Sequence, residues 1–356
     1  MRIAPLELER WFAEVEADAD VMLAESGVRP LSASRFDLDP GELGHVVPTA
    51  GDPELRAAVG DRHGRSADQT LCTCGTQEAN LIALLALVES HAVVVTPTDG
   101  SLTGLPESLA ETTRVRLDPP DWTLNPEAVG DALRPDTDAV ILANPNNPTG
   151  RYHDEATVRA IYDRCAENGT YLLCDEACRP LSADPIDPVA SFGRYGVSSG
   201  GVSKAFGLAG LHFGWLCGPT AVVSAAENWK DYTTVSPPVV GQHVAAQALD
   251  PDRRAELLEE SRAHAAENRA VLETFLEAHD LAWSDPDCGV NAFLRVPEGF
   301  AGGESFCRSL VAEESVVLAP GEAFGRPDFV RIGFGLPSAE LDEGLSRLGA
   351  FLERHG

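Results

Sequence analysis

Short runs of β-branched and aliphatic residues recur between helical stretches across the first two thirds of the chain. This alternation narrows the fold more than any other feature. Strands are predicted over 70–73, 93–96, 115–117, 139–142 and 171–174, with a further strand leading into Lys204. Helical spacing falls over 55–62, 75–88, 102–110, 126–133 and 155–167. A strand that returns to its own sheet through a helix does so by a right-handed crossover, which pairs the strands in parallel. The expected fold class is therefore α/β, with a mostly parallel central sheet and flanking helices.

The pattern changes near Pro237. A helix is expected to about 249, then a long charged one over 253–277, and the segments 293–296, 306–311, 316–318, 330–333 and 339–352 read as a small α+β unit. The division expected is an N-terminal segment 1–45 packing with the small domain, a large α/β domain 46–248, and a small C-terminal domain 249–356. The first 25 residues read as an amphipathic helix with Leu6, Trp11, Val15 and Leu23 on its apolar side. A signal peptide needs a basic start and an unbroken apolar run, which this stretch lacks, and nothing approaches a membrane span.

Charge bounds the partners. The 56 acidic against 27 basic residues leave a formal charge of −29, a surface that repels nucleic acid and anionic membranes. An acidic chain with only two lysines, Lys204 and Lys230, is expected of a halophilic cytoplasm, where salt screens self-repulsion. Eight scattered cysteines without zinc-site spacing read as reduced thiols, with no metal expected.

An ammonium can lose its proton and attack a carbonyl, which a guanidinium cannot do, so a lysine retained at Lys204 among glycines is a candidate nucleophile. Ligands of an open α/β sheet sit beyond the carboxyl ends of its strands. One strand end leads to Asn147, another to Asp175 and a third to Lys204. A fourth element, Gly75-Thr76-Gln77, opens a helix whose free N–H groups suit a phosphate. An amine for a Schiff base, a carboxylate for a heterocyclic nitrogen cation, an amide donor and a phosphate cup together describe a pyridoxal 5'-phosphate site.

The motifs NNPTG, DEA and VSK, in that order, resemble those of class I/II aminotransferases of the fold-type-I pyridoxal-phosphate enzymes. PTAGDPELRAAV before the phosphate loop and APGEAFG with FVRIGFG near the end extend the likeness over the chain. The pairing of SL after the TPT stretch with DEACRPL is most similar to the capreomycidine-synthase-like branch. The resemblance implies that Lys204 forms the Schiff base and shuttles a proton, that Asp175 pairs with the pyridine nitrogen, and that Asn147 donates to the phenolic oxygen. It implies that Arg331 binds the substrate carboxylate, with Gly27 bringing a backbone near it, and that active sites lie at a homodimer interface.

Several shell positions depart from the family pattern. Cys178 stands for a tyrosine, Gly201 for a phosphate-binding hydroxyl, His212 for a phosphate-binding arginine, and Asp99 for the ring-stacking aromatic. His45 or Val46 falls where the partner subunit supplies an aromatic. The phosphate is then expected to rest on the 75–77 helix start, on Ser203 and on His212, with a hold that weakens as pH rises. Three readings follow: transfer of an amino group between an amino acid and a 2-oxo acid; another α-carbon chemistry such as elimination or cyclisation; or a scaffold without cofactor chemistry.

Overall fold

The computed structural model describes residues 3–44 and 48–355. At its centre is a seven-stranded sheet built from β1 (Thr70–Thr73), β2 (His91–Thr96), β3 (Glu111–Arg116), β4 (Thr137–Ala143), β5 (Tyr171–Asp175), β6 (Gly196–Gly201) and β7 (Gly214–Cys217). Their spatial order is β1-β7-β6-β5-β4-β2-β3. The five strands from β6 to β3 pair in parallel, while β7 runs antiparallel to both β6 and β1. Alternate residues of the inner strands enter different cores. Val93, Val95, Val140 and Leu142 pack on one face, and Ala92, Val94, Ala139 and Ile141 on the other. Burial on both faces is what makes these strands continuous apolar runs.

The alternating pattern predicted the parallel strands but not β7, nor the helix Thr220–Lys230 that follows it. The segment between β6 and β7 carries Lys204 and forms no helix beyond the tight turn Ala209–Leu211, and the chain doubles back and pairs antiparallel. The N-terminal helix is also shorter than its apolar spacing suggests. It spans Glu7–Val15, gives way to one tight turn over Glu16–Asp18, and continues as the strand Val21–Met22 paired in parallel with Val316–Val317. Glu14, Glu16, Asp18 and Asp20 put negative charge at the helix C-terminus, where the macrodipole disfavours it, and no basic residue sits in the last turn. Trp11 fixes the helix by donating its indole N–H to the Leu318 carbonyl at 2.9 Å.

A second sheet, three-stranded and antiparallel, comprises Ala319–Pro320, Phe329–Gly333 and Asn291–Arg295 in that order. The 28-residue helix Pro251–Ala278 precedes it in the chain. Asn268 on this helix donates to the carbonyls of Phe334 and Leu336, fixing the chain just past the strand that carries Arg331. No helix among the described residues is long and apolar enough to cross a membrane.

Candidate active site

The carboxyl ends of β4, β5 and β6 open onto one side of the central sheet. β4 runs into Asn144, whose side chain ties to the His153 backbone in both directions, donating at 3.0 Å and accepting at 2.9 Å. Asn146 donates to the Pro97 carbonyl and accepts from the Thr149 hydroxyl at 2.7 Å. These bonds stiffen the turn that presents Asn147. Its Oδ1 accepts from Arg331 Nη1 at 2.9 Å, which leaves the amide N–H groups of Asn147 to face another acceptor.

Arg331 reaches this turn from the second sheet. It is 2% exposed, donates through Nη2 to the Ala24 carbonyl at 2.7 Å, and lies 5.2 Å from the Phe324 ring centroid. Its buried Nε has no partner among the described residues. Burial lowers the guanidinium's proton affinity, opposed first by Asp99, yet an arginine stays charged. A buried cation with an unused donor suits a carboxylate ligand.

Asp175 ends β5. Its Oδ2 accepts from Asn80 Nδ2 at 2.7 Å and its Oδ1 from the Ala177 N–H at 3.0 Å. The Ser199 hydroxyl donates to Asn80 Oδ1 at 2.5 Å, so the Asn80 amide is fixed with its donor side toward the carboxylate. Burial pushes Asp175 above the ordinary carboxylate range, the two donors pull it down, Asp99 raises it again and Lys204 opposes that. Asn80 and Ser199 escaped the sequence reading. The available signal was an isolated amide on the buried side of an apolar helix.

Lys204 is half-buried just past β6. The Val28 N–H donates to its carbonyl at 2.9 Å, and a side chain at Gly27 would stand 3.5 Å from Lys204 Cα and Cδ. The N-terminal segment thus runs along the lysine stem at van der Waals distance. The Gly27 carbonyl also lies 2.1 Å from where a Gly335 Cβ would be, so the segment is pinned against the strand exit past Arg331. Cys178 is half-buried and its thiol pushed up to about 11, chiefly by burial, with Lys204 and Arg331 pulling the other way. Asp99 caps the helix Gly100–Leu109 by accepting from the N–H and hydroxyl of Ser101 at 2.9 and 2.7 Å.

The helix Gly75–Leu87 starts at Gly75, whose φ of +81° favours glycine, and has no side-chain cap. Its first N–H groups are therefore available to an anion. A side chain at Gly201 would meet Thr76 Oγ1 at 2.8 Å, so the Thr76 hydroxyl fills the space of the hydroxyl that Gly201 lacks. A side chain at Gly214 would meet Thr76 N at 2.7 Å, and one at Gly75 would lie 3.9 Å from His212 Cα. His212 itself is exposed with φ +47°. Gln77 is exposed and Ser203 half-buried. His45 and Val46 lie outside the described residues.

The uncapped helix start, the Thr76 hydroxyl, the half-buried Asp175, the free amide of Asn147 and the amine of Lys204 fit pyridoxal phosphate. Among the described residues no cluster of His, Cys, Asp and Glu suits a metal.

Below the cup, Glu78 forms a buried ion pair with Lys230 at 3.3 Å, the two side chains being 7% and 1% exposed. Burial raises the Glu78 carboxyl, but bonds from Thr233, the Cys74 N–H and Thr234, with Lys230, outweigh it and hold it low. The chain's second lysine is thus a structural cation under the cup.

Comparison with known proteins matches residues 25–348 to the family described as aminotransferase class I and II. The chain is 31% identical to capreomycidine synthase of Streptomyces vinaceus, over 98% of this chain and 94% of that one. The structure resembles a PLP-dependent aminotransferase from Streptococcus suis, with a TM-score of 0.93, 27% identity, and 100% and 99% of the two chains covered. It also resembles the PLP-dependent cyclase OrfR, with a TM-score of 0.91, 30% identity, and coverage of 100% and 99%.

Proposed function

We propose, from the premise that this chain belongs to the class I and II aminotransferase family and works with pyridoxal 5'-phosphate, that Lys204, Asp175, Asn147 and Arg331 carry an amino transfer between an amino acid and a 2-oxo acid. When bound, the cofactor supplies an electron sink for negative charge developing at the substrate's α-carbon. The observation that carries the reading is the 2.9 Å bond between Arg331 and Asn147, which couples a carboxylate anchor to a residue facing the cofactor.

Each residue has a task that its surroundings support. Arg331 holds the substrate carboxylate through its unused donors and so aims the α-carbon toward Lys204. The Lys204 amine takes a proton from that carbon and returns it elsewhere, its stem steadied along Gly27. Asp175, kept acceptor-only by Asn80 and the Ala177 N–H, holds a proton at the ring nitrogen. Asn147 donates from its free amide to the phenolic oxygen. Gly75, Thr76 and Gln77 cradle the phosphate from the helix start, with Ser203 and His212 at its rim.

We read residues 46–248 as the cofactor-binding domain and 249–356, with 1–45, as a smaller domain bringing Arg331 to it. A homodimer in a salt-rich cytoplasm fits the acidic composition and the family. Incubating the protein with cofactor, a panel of amino acids and either 2-oxoglutarate or pyruvate tests the reading. Formation of the amino acid corresponding to the acceptor is expected; its absence across the panel refutes amino transfer. Elimination or cyclisation is the second reading, favoured by the likeness to capreomycidine synthase and OrfR and by Cys178 and Asp99 in the shell. It would release ammonia or a ring product without an acceptor.

A further inference from the structure

Away from the cofactor site, the long helix Pro251–Ala278 forms one wall of an open groove of about 920 Å³, closed opposite by the 181–184 and 286–289 turns. Three of its arginines line the groove: Arg254, Arg262 and Arg269. Arg269 is paired with Glu273 and Asp285. Arg262 spends Nε and Nη2 on the Pro180 carbonyl at 3.1 and 2.8 Å. Arg254 is half-buried, and its side chain makes no ion pair or hydrogen bond among the described residues.

Three other arginines act on Arg254 electrostatically. Burial, and then Arg62, Arg179 and Arg262, push its guanidinium down to about 10. None of these neighbours brings a spare carboxylate. Arg62 donates to the Ala58 and Leu249 carbonyls, and Arg179 is paired with Glu176 at 3.2 Å. A chain with 56 acidic residues has left a partly desolvated cation facing three others. A half-buried guanidinium on an open groove with none of its side-chain donors used by the protein is free to take an anion.

We propose that this groove is an anion site in which Arg254 and Arg262 clamp a multivalent oxyanion, carried by a phosphate or by a polycarboxylate. Guanidinium forks match both groups bidentately. The cavity falls in the size range of small-molecule sites, about 300–1,000 Å³, and Leu181, Leu258 and Ala265 give an organic body an apolar wall. Asp184, Glu259 and Asp287, the last paired with Arg151, are on the same lining and oppose any anion, so binding has to come from bidentate contacts to both guanidiniums, which a multivalent oxyanion offers and a chloride does not. Cys288, also on the lining, donates from Sγ to the Cys178 carbonyl at 3.8 Å, so the site abuts the turn that flanks Lys204.

The test is calorimetric titration of protein saturated with pyridoxal phosphate, so that the phosphate cup is filled, with pyrophosphate and separately with citrate at fixed ionic strength in chloride. Saturable binding of one or both probes is expected, and the arm that binds more tightly identifies the source. Arg254→Gln and Arg262→Gln should each weaken it by about tenfold, the loss of one charge-assisted pair. Arg254→Gln should melt no lower than wild type without the probe, since it breaks no side-chain hydrogen bond or ion pair and relieves repulsion from Arg62, Arg179 and Arg262. No saturable binding of either probe, or unchanged affinity in both variants, overturns the proposal. So does a lower melting point for Arg254→Gln, which would expose a structural partner. Arg262→Gln keeps the test decisive if Arg254→Gln does not fold.

Discussion

Asn80→Leu removes one of the two hydrogen bonds that lower the proton affinity of Asp175. Leucine is close to asparagine in size but removes the 2.7 Å donor to Oδ2, leaving the Ala177 N–H alone on the carboxylate. A hydrogen bond to a charged group contributes about 1.5–3 kcal/mol. At about 1.4 kcal/mol per pKa unit, losing it raises the Asp175 pKa by about 1–2 units above a value that burial already pushes up. The sign follows from the pairing: a cationic ring nitrogen needs Asp175 ionised, so cofactor retention fails as pH falls through the Asp175 pKa. The acid limb of cofactor binding should therefore move up by about 1–2 pH units, while the alkaline limb stays. Apoprotein titrated with pyridoxal phosphate across pH, followed by the visible absorbance of the bound form, reads this shift. Ser199→Ala, which frees the amide to rotate, should give a smaller shift in the same direction. An acid limb within about 0.3 units of wild type in a folded Asn80→Leu protein would refute the reasoning.

Arg331→Lys keeps a positive charge but loses the planar fork. It should raise KM for amino donor and acceptor by about tenfold or more while changing cofactor affinity little; equal losses in both would assign Arg331 a different role. Lys230→Met leaves the buried Glu78 carboxylate without its cation and should cost about 3–5 kcal/mol in urea unfolding. A loss under about 1 kcal/mol would mean the pair is solvated in solution. His212→Arg puts a permanent positive charge at that position and should tighten cofactor retention, and unchanged retention would remove His212 from the cup.

Elements buried on both faces were readable because burial forces unbroken apolar runs: β2 and β4 stand out as HAVVVT and TDAVILA. β7 has the four residues Gly-Trp-Leu-Cys beside a glycine-rich loop, too little to distinguish from it, and its direction depends on the neighbouring strands. The apolar spacing of the N-terminal stretch was real, since Trp11, Val15 and Leu23 are all buried. Leu23, however, reaches the core from an extended segment past Val21–Met22, and only the partner Val316–Val317 reveals this. In the site, Asn147 and Asp175 were legible because a polar residue at the end of an apolar strand has few structural uses. Asn80 was not, since its role depends on which side of the helix meets β5, and the Thr76 hydroxyl filling the space beside Gly201 is a contact between distant segments.

Amino transfer through Lys204 is tested most directly by following ¹⁵N from a labelled donor amino acid, identified in the donor panel, into the amino acid formed from its 2-oxo acid acceptor. The account predicts label in the acceptor product in step with donor consumed, dependence on added pyridoxal phosphate, and no turnover by Lys204→Ala protein whose melting transition matches wild type. Label released as ammonia or kept in a cyclised donor, or turnover persisting in a folded Lys204→Ala protein, would contradict it.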